Sequence, residues 1–224
     1  MVRILAAPGP VSYPLVLAWR DLDWVKLEFG KEGDESFDAV ADSLTSLVRR
    51  GSGVDLITVR QLLAVYPGLR GPRIGVWRRG SAADVLVRAA MDRYGVQAEL
   101  LYADDWAAVA QMLRDGKVNS AVLTLAIAPE GASPLELMVG APGACGVSLA
   151  NPSAGADVRR AYEYGISVAE RNPEEAADRV ASSLPVRVPR DFVAGVLRRV
   201  KYSVEPAGDI SGFASLVKRY LPGG

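Results

Sequence analysis

The sequence predicts an α/β protein, and three observations carry that prediction. Short runs of Val, Ile and Leu alternate with longer stretches whose apolar residues recur every three or four positions, the pattern of strands interleaved with amphipathic helices. The helical stretches are bounded by residues suited to helix ends, with Ser or Asp before them and Gly after them. Half of the 224 residues are hydrophobic and 23% are charged, which is enough apolar material for one large core or two smaller lobes and too much for a disordered chain.

Along the chain, strands are expected at Val2 to Ala6, Val25 to Phe29, Val54 to Val59, Arg73 to Trp77, Ala98 to Tyr102, Ser120 to Thr124, Leu135 to Val139 and Gly146 to Leu149. Helices are expected between them at Pro14 to Arg20, Ser36 to Arg50, Ser81 to Tyr94 and Trp106 to Asp115. Ser36 would cap the second of these and Gly51 close it. Ser81 and Gly95 do the same for the third, and Asp104 or Asp105 precedes the fourth with Gly116 beyond it. After Asn151-Pro152 the strands stop, and Ala156 to Arg171, Pro173 to Ser183, Asp191 to Lys201 and Ile210 to Tyr220 read as a helical C-terminal part. Asn172-Pro173 breaks the first two of these helices apart, with the proline at a first-turn position that needs no N–H.

Composition narrows the function. Lys plus Arg and Asp plus Glu both total 26, so the net charge is zero and no overall field exists to hold nucleic acid or an anionic membrane. The absence of histidine removes Ser-His-Asp and Cys-His nucleophile pairs, histidine-zinc sites and the usual proton shuttle at neutral pH. The single cysteine, Cys145, reads as a small buried hydrophobe. Asp104 and Asp105 read as helix cap and dipole partner, and no Gly-x-Gly-x-x-Gly follows a strand. No catalytic residue, metal or cofactor is therefore assigned. The opening MVRILAAPGPVSYP, broken by Pro8 and Pro10, is too short for a signal-peptide core or a membrane span. The expectation is a cytoplasmic protein as the chain stands, extracytoplasmic if an export signal has been removed, with no membrane insertion.

The stretch Leu69 to Ile127 carries the most information. It reads strand, Gly-Ser turn, helix, strand, helix, Gly turn, strand, with LRGPRIGVWRRGS at Leu69 to Ser81 and MLRDGKVNSAVL at Met112 to Leu123. Downstream, AYEYGISVAERNPEEAADRVASSL at Ala161 to Leu184 supplies a helix pair with an Asn-Pro-Glu-Glu-Ala-Ala joint. On these segments the chain resembles the type II periplasmic-binding-protein fold, and most closely the nitrate, sulfonate, taurine and thiamine-precursor branch of ABC transporter solute-binding proteins. Asn119 stands where that branch usually has Asp. The resemblance implies a two-lobed α/β architecture with C-terminal helices, lobe I being residues 1–75 and 142–224 and lobe II residues 76–141. The crossings would fall near residues 70–75 and 125–145. It implies a hinge-closing binder of a small organic solute, an anion being one option, with an ABC permease as partner. Two other readings share the fold: a cytosolic enzyme like those of menaquinone or thiamine pathways, and an effector-binding regulatory subunit. The thiamine-pyrimidine synthase of that group relies on histidine, which is missing here.

Candidate ligand-binding residues follow from strand ends and turns. A helix N-terminus offers unpaired N–H groups and a positive dipole end, so Gly80, Ser81 and Ala82 suit an anion or carbonyl, or serve as an ordinary cap. Pro10, Ser12 and Tyr13 belong to the loop between the first strand and first helix, at the carboxyl edge where open α/β sheets bind ligands. Thr58 and Thr124 end strands at the same edge. The expected chemistry is recognition without bond making.

Overall fold

The computed structural model describes residues 1–30 and 37–221. Its strands are β1 Val2–Ala6, β2 Val25–Phe29, β3 Ala39–Ser43, β4 Leu56–Arg60, β5 Leu63–Tyr66, β6 Arg73–Trp77, β7 Glu99–Ala103, β8 Ser120–Thr124, the short β9 Ser133–Pro134, β10 Cys145–Leu149 and β11 Lys201–Pro206. Its helices are α1 Tyr13–Asp21, α2 Leu44–Arg49, α3 Ala82–Tyr94, α4 Trp106–Arg114, α5 Leu135–Val139, α6 Gly155–Arg171, α7 Pro173–Ser183, α8 Arg190–Arg199 and α9 Ser211–Tyr220.

The strands form two sheets, one in the order β11-β4-β10-β3-β1-β2 and one in the order β7-β6-β8-β5-β9. In the first, β1 runs parallel to β2 and β3, while β10 is antiparallel to both β3 and β4. Strands β1 to β4 therefore all end at one edge. In the second, β6 runs parallel to β7 and β8, and β5 runs against β8. The chain passes from the first sheet to the second at residues 61–62 and returns between β9 and β10. The architecture is a two-lobed α/β one.

Three apolar cores hold it. One packs the first sheet against α1, α6, α7 and α8; a second lies between α2, α3, α5 and α9 and reaches both sheets; a small third seats α4 on the second sheet. Helix α9 touches both α2 and α3, so the second core is continuous from one sheet to the other.

Four sequence expectations are corrected. Leu135 to Val139 is not a strand but helix α5: Pro134 precedes it and Gly140 closes it in the left-handed region at φ +71, as a helix-ending glycine does. The helix expected at Ser36 to Arg50 is strand β3 followed by the short α2, capped by Ser43, whose side chain accepts the N–H of Ser46. Ser36 itself lies outside the described residues. Strands do not stop at Asn151-Pro152, because β11 returns to pair with β4 at the sheet's edge. Strand β5 was not expected; four residues between Leu62 and Pro67 give too little alternation to read.

The tightest helix contact is α1 on α6, where Gly165 sits against the backbone of Pro14 and a Cβ would overlap the Pro14 carbonyl. Because backbone cannot yield as a side-chain tip can, Gly165→Ala is expected to cost about 3 kcal/mol of stability, seen as a lowered midpoint in urea unfolding. An unchanged midpoint would mean that this helix pair is looser than described.

Candidate functional site

The two-residue passage from β4 to β5 sets the candidate site. Arg60 ends β4 at the carboxyl edge of the first sheet, and Leu63 begins β5 opposite Thr124, the last residue of β8, at the carboxyl edge of the second. Three chain steps reach at most about 11 Å, so the two edges stand side by side.

The first edge contributes the loop after β1. Pro10 to Ser12 form one 3-10 turn leading into α1 and packing on β3 and β4. Ser12 donates both its N–H, at 2.8 Å, and its hydroxyl, at 2.9 Å, to the Gly9 carbonyl. The loop's next carbonyls are tied down from far along the chain: the Tyr202 hydroxyl donates to Pro10 O at 2.9 Å and the Tyr162 hydroxyl to Val11 O at 3.0 Å. Burial pushes the phenols of Tyr13, Tyr162 and Tyr202 upward, so all three stay protonated. Thr58, expected at a strand end, is buried at the middle of β4, two residues before Arg60, its hydroxyl lacking a well-formed hydrogen bond but standing near that of Tyr162.

The second edge contributes the turn after β6. Gly80 takes φ +76, a left-handed conformation that favours glycine. Its N–H donates to Asp84 Oδ2 at 2.8 Å, while the Ser81 hydroxyl donates to the Trp77 carbonyl and accepts the Asp84 N–H at 3.3 Å. Asp84, buried, also accepts from Arg88 Nε at 2.7 Å and from the Tyr102 hydroxyl at 2.8 Å. Burial, then the neighbouring Asp84 carboxylate, raises the Tyr102 phenol. Among the described residues this leaves the N–H groups of half-buried Ala82 and buried Ala83 as the unpaired donors of the α3 terminus. Arg78 and Arg79 are exposed and lie over the rings of Trp77 and Tyr102 at 5.3 and 5.7 Å. Trp77 stacks on Trp106 with centroids 4.9 Å apart and donates its indole N–H to Asp104 O at 2.9 Å. Asp105 caps α4, accepting the Ala108 N–H at 2.6 Å.

The eight expected residues thus divide by exposure. Pro10, Gly80, Ser81 and Ala82 are half-buried in the two edge turns, whereas Ser12, Tyr13, Thr58 and Thr124 are buried. The Thr124 hydroxyl, like that of Thr58, has no hydrogen-bond partner. Sequence reading missed Tyr162 and Tyr202, which reach the loop across 151 and 192 residues and leave no local signal. It also missed Glu136, read as part of a strand. Glu136 is buried on α5, and its Oε1 accepts the N–H groups of Leu62 at 2.8 Å and Leu63 at 3.0 Å. The Pro134 and Gly140 brackets were the available signal.

Two outcomes follow. Ser81→Ala is expected to lower stability by about 1 kcal/mol through the lost cap, read by thermal melting. Burial raises the Glu136 carboxyl from 4.5 to about 7 against the pull of its backbone donors. A raised acid favours the folded state while protonated, so its contribution is complete below pH 4.5 and lost as pH rises to about 7. Urea unfolding should show a loss of about 3 kcal/mol across that window relative to Glu136→Gln. Parallel pH profiles for the two proteins would refute the assignment.

Comparison with known proteins bears on the fold. No curated protein matches the chain. Among solved structures, a "putative nitrate transport protein" from Thermoplasma volcanium is 20% identical, with 99% of this chain and 93% of that one covered and a TM-score of 0.79. The alkanesulfonate-binding protein SsuA from Xanthomonas axonopodis pv. citri, bound to MOPS, is 18% identical over 99% and 94% of the two chains, with a TM-score of 0.57. A Candida albicans protein described as having the generic periplasmic binding protein fold is 13% identical over 98% and 88%, with a TM-score of 0.52. The chain has the periplasmic-binding-protein fold, and a model matching residues 1–203 shows that it belongs to the family described as protein of unknown function DUF3834.

Proposed function

We propose that this protein binds a small organic solute between its two lobes and hands it to an ABC-type permease. The observation that carries the reading is the juxtaposition of two carboxyl edges across a two-residue crossing, each edge presenting turns and helix starts. The lobes would be built around the two sheets and would rotate about residues 61–62 and the return near 140–145, closing over the solute and excluding water. The resemblance to a putative nitrate transport protein and to an alkanesulfonate-binding protein supports this reading. No bond is made or broken; the work is recognition.

In this reading the lobe II contacts are the N–H groups of Ala82 and Ala83, with Gly80 giving access and Arg78 and Arg79 adding positive charge beside them. The Ser81 hydroxyl, committed to Trp77, shapes the turn. The lobe I contacts come from the loop around Pro10, with Ser12, Tyr13 and Thr58 holding its shape from beneath. Thr124, with its unpartnered hydroxyl, completes the set at the end of β8. Delivery to a permease places the working protein outside the cytoplasm. Among the described residues no helix is long and apolar enough to cross a membrane.

The test is a search for the solute. Gentle purification followed by non-denaturing mass spectrometry should reveal a bound small molecule. Thermal melts with nitrate, taurine, alkanesulfonates and neutral analogues should show a saturable rise of about 5 °C or more once the ligand exceeds its Kd a hundredfold. Ala82→Pro then separates binding from folding. Proline fits the first helical position, and Ser81 before it is already extended at φ −74 and ψ 168. The variant should melt like the parent yet bind the solute about fivefold more weakly, having lost one N–H donor. No co-purified molecule and no ligand-induced shift would sink the proposal; full affinity in Ala82→Pro would sink the contact.

A further inference from the structure

The β4–β5 crossing is held by one side chain that solute recognition does not use. Glu136 accepts the N–H groups of Leu62 and Leu63 through Oε1, while its buried Oε2 lacks a well-formed hydrogen bond, the residue's own N–H standing near the carboxyl. On the crossing's other side the Leu62 carbonyl accepts the Leu125 N–H at 2.9 Å. Gln61, just before, takes φ +55, a conformation that costs a non-glycine residue free energy and persists only where its surroundings enforce it. Glu136 itself lies on α5, the segment from which the chain turns back to the first sheet, so a single carboxyl ties the outward passage to the return.

Among the described residues no cation pairs with this carboxyl. Arg60, at the end of β4, is committed to the Pro142 carbonyl and to Glu205. From β3, Asp42 is paired with Arg50 at 2.8 Å. From β10 comes the Cys145 thiol, pushed up by burial and then by the charges of Asp42 and Glu136. On α3, which packs against α5, Arg93 lies by Gly140 at the far end of α5, Asp92 accepts from Tyr220, and Asp84 and Arg88 pair with each other. Strand β5 carries only Tyr66 and β9 no titratable group.

We infer that Glu136 is a proton-operated pin of the hinge: its neutral carboxyl keeps the crossing buried and the lobes together, and its ionisation loosens the crossing and lets them part. The inference rests on the reading of residues 61–62 as a hinge between two lobes. Its physical basis is that a buried carboxylate with one oxygen lacking a well-formed hydrogen bond and no paired cation is costly, and opening returns it to water. Burial raises the group from 4.5 to about 7 in the closed arrangement. The closed form therefore holds an extra proton between those two values, and opening becomes about tenfold more favourable per pH unit across the window and levels off above it.

The test uses the ligand-free full chain. Hydrogen exchange read by mass spectrometry, corrected for the intrinsic pH dependence, should show the Leu62, Leu63 and Leu125 amides opening roughly fortyfold more readily at pH 7 than at pH 5. The rise should flatten by pH 8 and be absent in Glu136→Gln, which keeps the acceptor oxygen and loses the charge. Small-angle scattering on the same samples should show the radius of gyration growing with pH in the parent and not in the variant. A pH-flat exchange profile in the parent overturns the inference, and that arm stands even if the variant fails to fold. Responsive exchange with a constant radius also overturns it, leaving Glu136 a local fastener. Because no solute is present, failure of solute binding leaves these profiles unaffected, and a protein that binds a solute with pH-flat opening refutes the pin alone.

Discussion

The shortness of the β4–β5 crossing constrains everything around it. Two residues, Gln61 and Leu62, carry the chain from one sheet to the other, and backbone groups at such a passage cannot be left bare once buried. Their partners come from elsewhere in sequence: Glu136 takes two N–H groups, Leu125 gives its own to Leu62, and Arg60 reaches the Pro142 carbonyl on the return passage. The outward and return passages are thus fastened to each other. A longer linker would satisfy itself with water and leave the two edges free to drift apart.

The same logic explains the weight of the C-terminal half at the first edge. A loop containing Pro8, Gly9 and Pro10 has few N–H groups of its own to give, and its carbonyls need donors. Tyr162 on α6 and Tyr202 on β11 supply them. Each such bond adds on the order of 1 kcal/mol. Two anchors separated along the turn also fix its orientation, so that little ordering entropy would remain to be lost if the loop binds a solute as proposed. Strand β11 takes part in this by pairing at the sheet's edge, which brings Tyr202 level with the end of β4.

What could be read from the sequence was local. The Gly80-Ser81 turn, the caps at Ser81 and Asp105 and the left-handed Gly95 all announce themselves within four residues, and each is found in place. Residues 135–139 show how a local signal misleads: Leu-Glu-Leu-Met-Val alternates in polarity at its start, and the alternation hid a helix of five residues bracketed by proline and glycine. Strand β3 was lost to the apolar periodicity of the helix that follows it. Beyond reach altogether were contacts between distant segments. Nothing near position 202 says that its ring will meet Pro10, and nothing near 136 says that a carboxyl will meet Leu62, because both are consequences of strand order.

The α3 terminus carries this distinction into chemistry. A Gly-Ser turn at a helix start suggests a hydroxyl and several N–H groups turned toward a ligand, but a serine hydroxyl has one proton to give, and Ser81 gives it to Trp77. Asp84 takes the Gly80 N–H and, with Arg88 and Tyr102, forms a closed set in which every strong group faces another. The terminus thereby becomes rigid and loses part of its appetite for charge, since a carboxylate already sits within its first turn. Under the proposed function, recognition there would fall to the two amides of Ala82 and Ala83, whose direction the helix fixes, and to Arg78 and Arg79, which lie over the rings of Trp77 and Tyr102. Small side chains at the turn and large ones behind it would let backbone approach a ligand closely, while the geometry of the turn is set by groups set back from it.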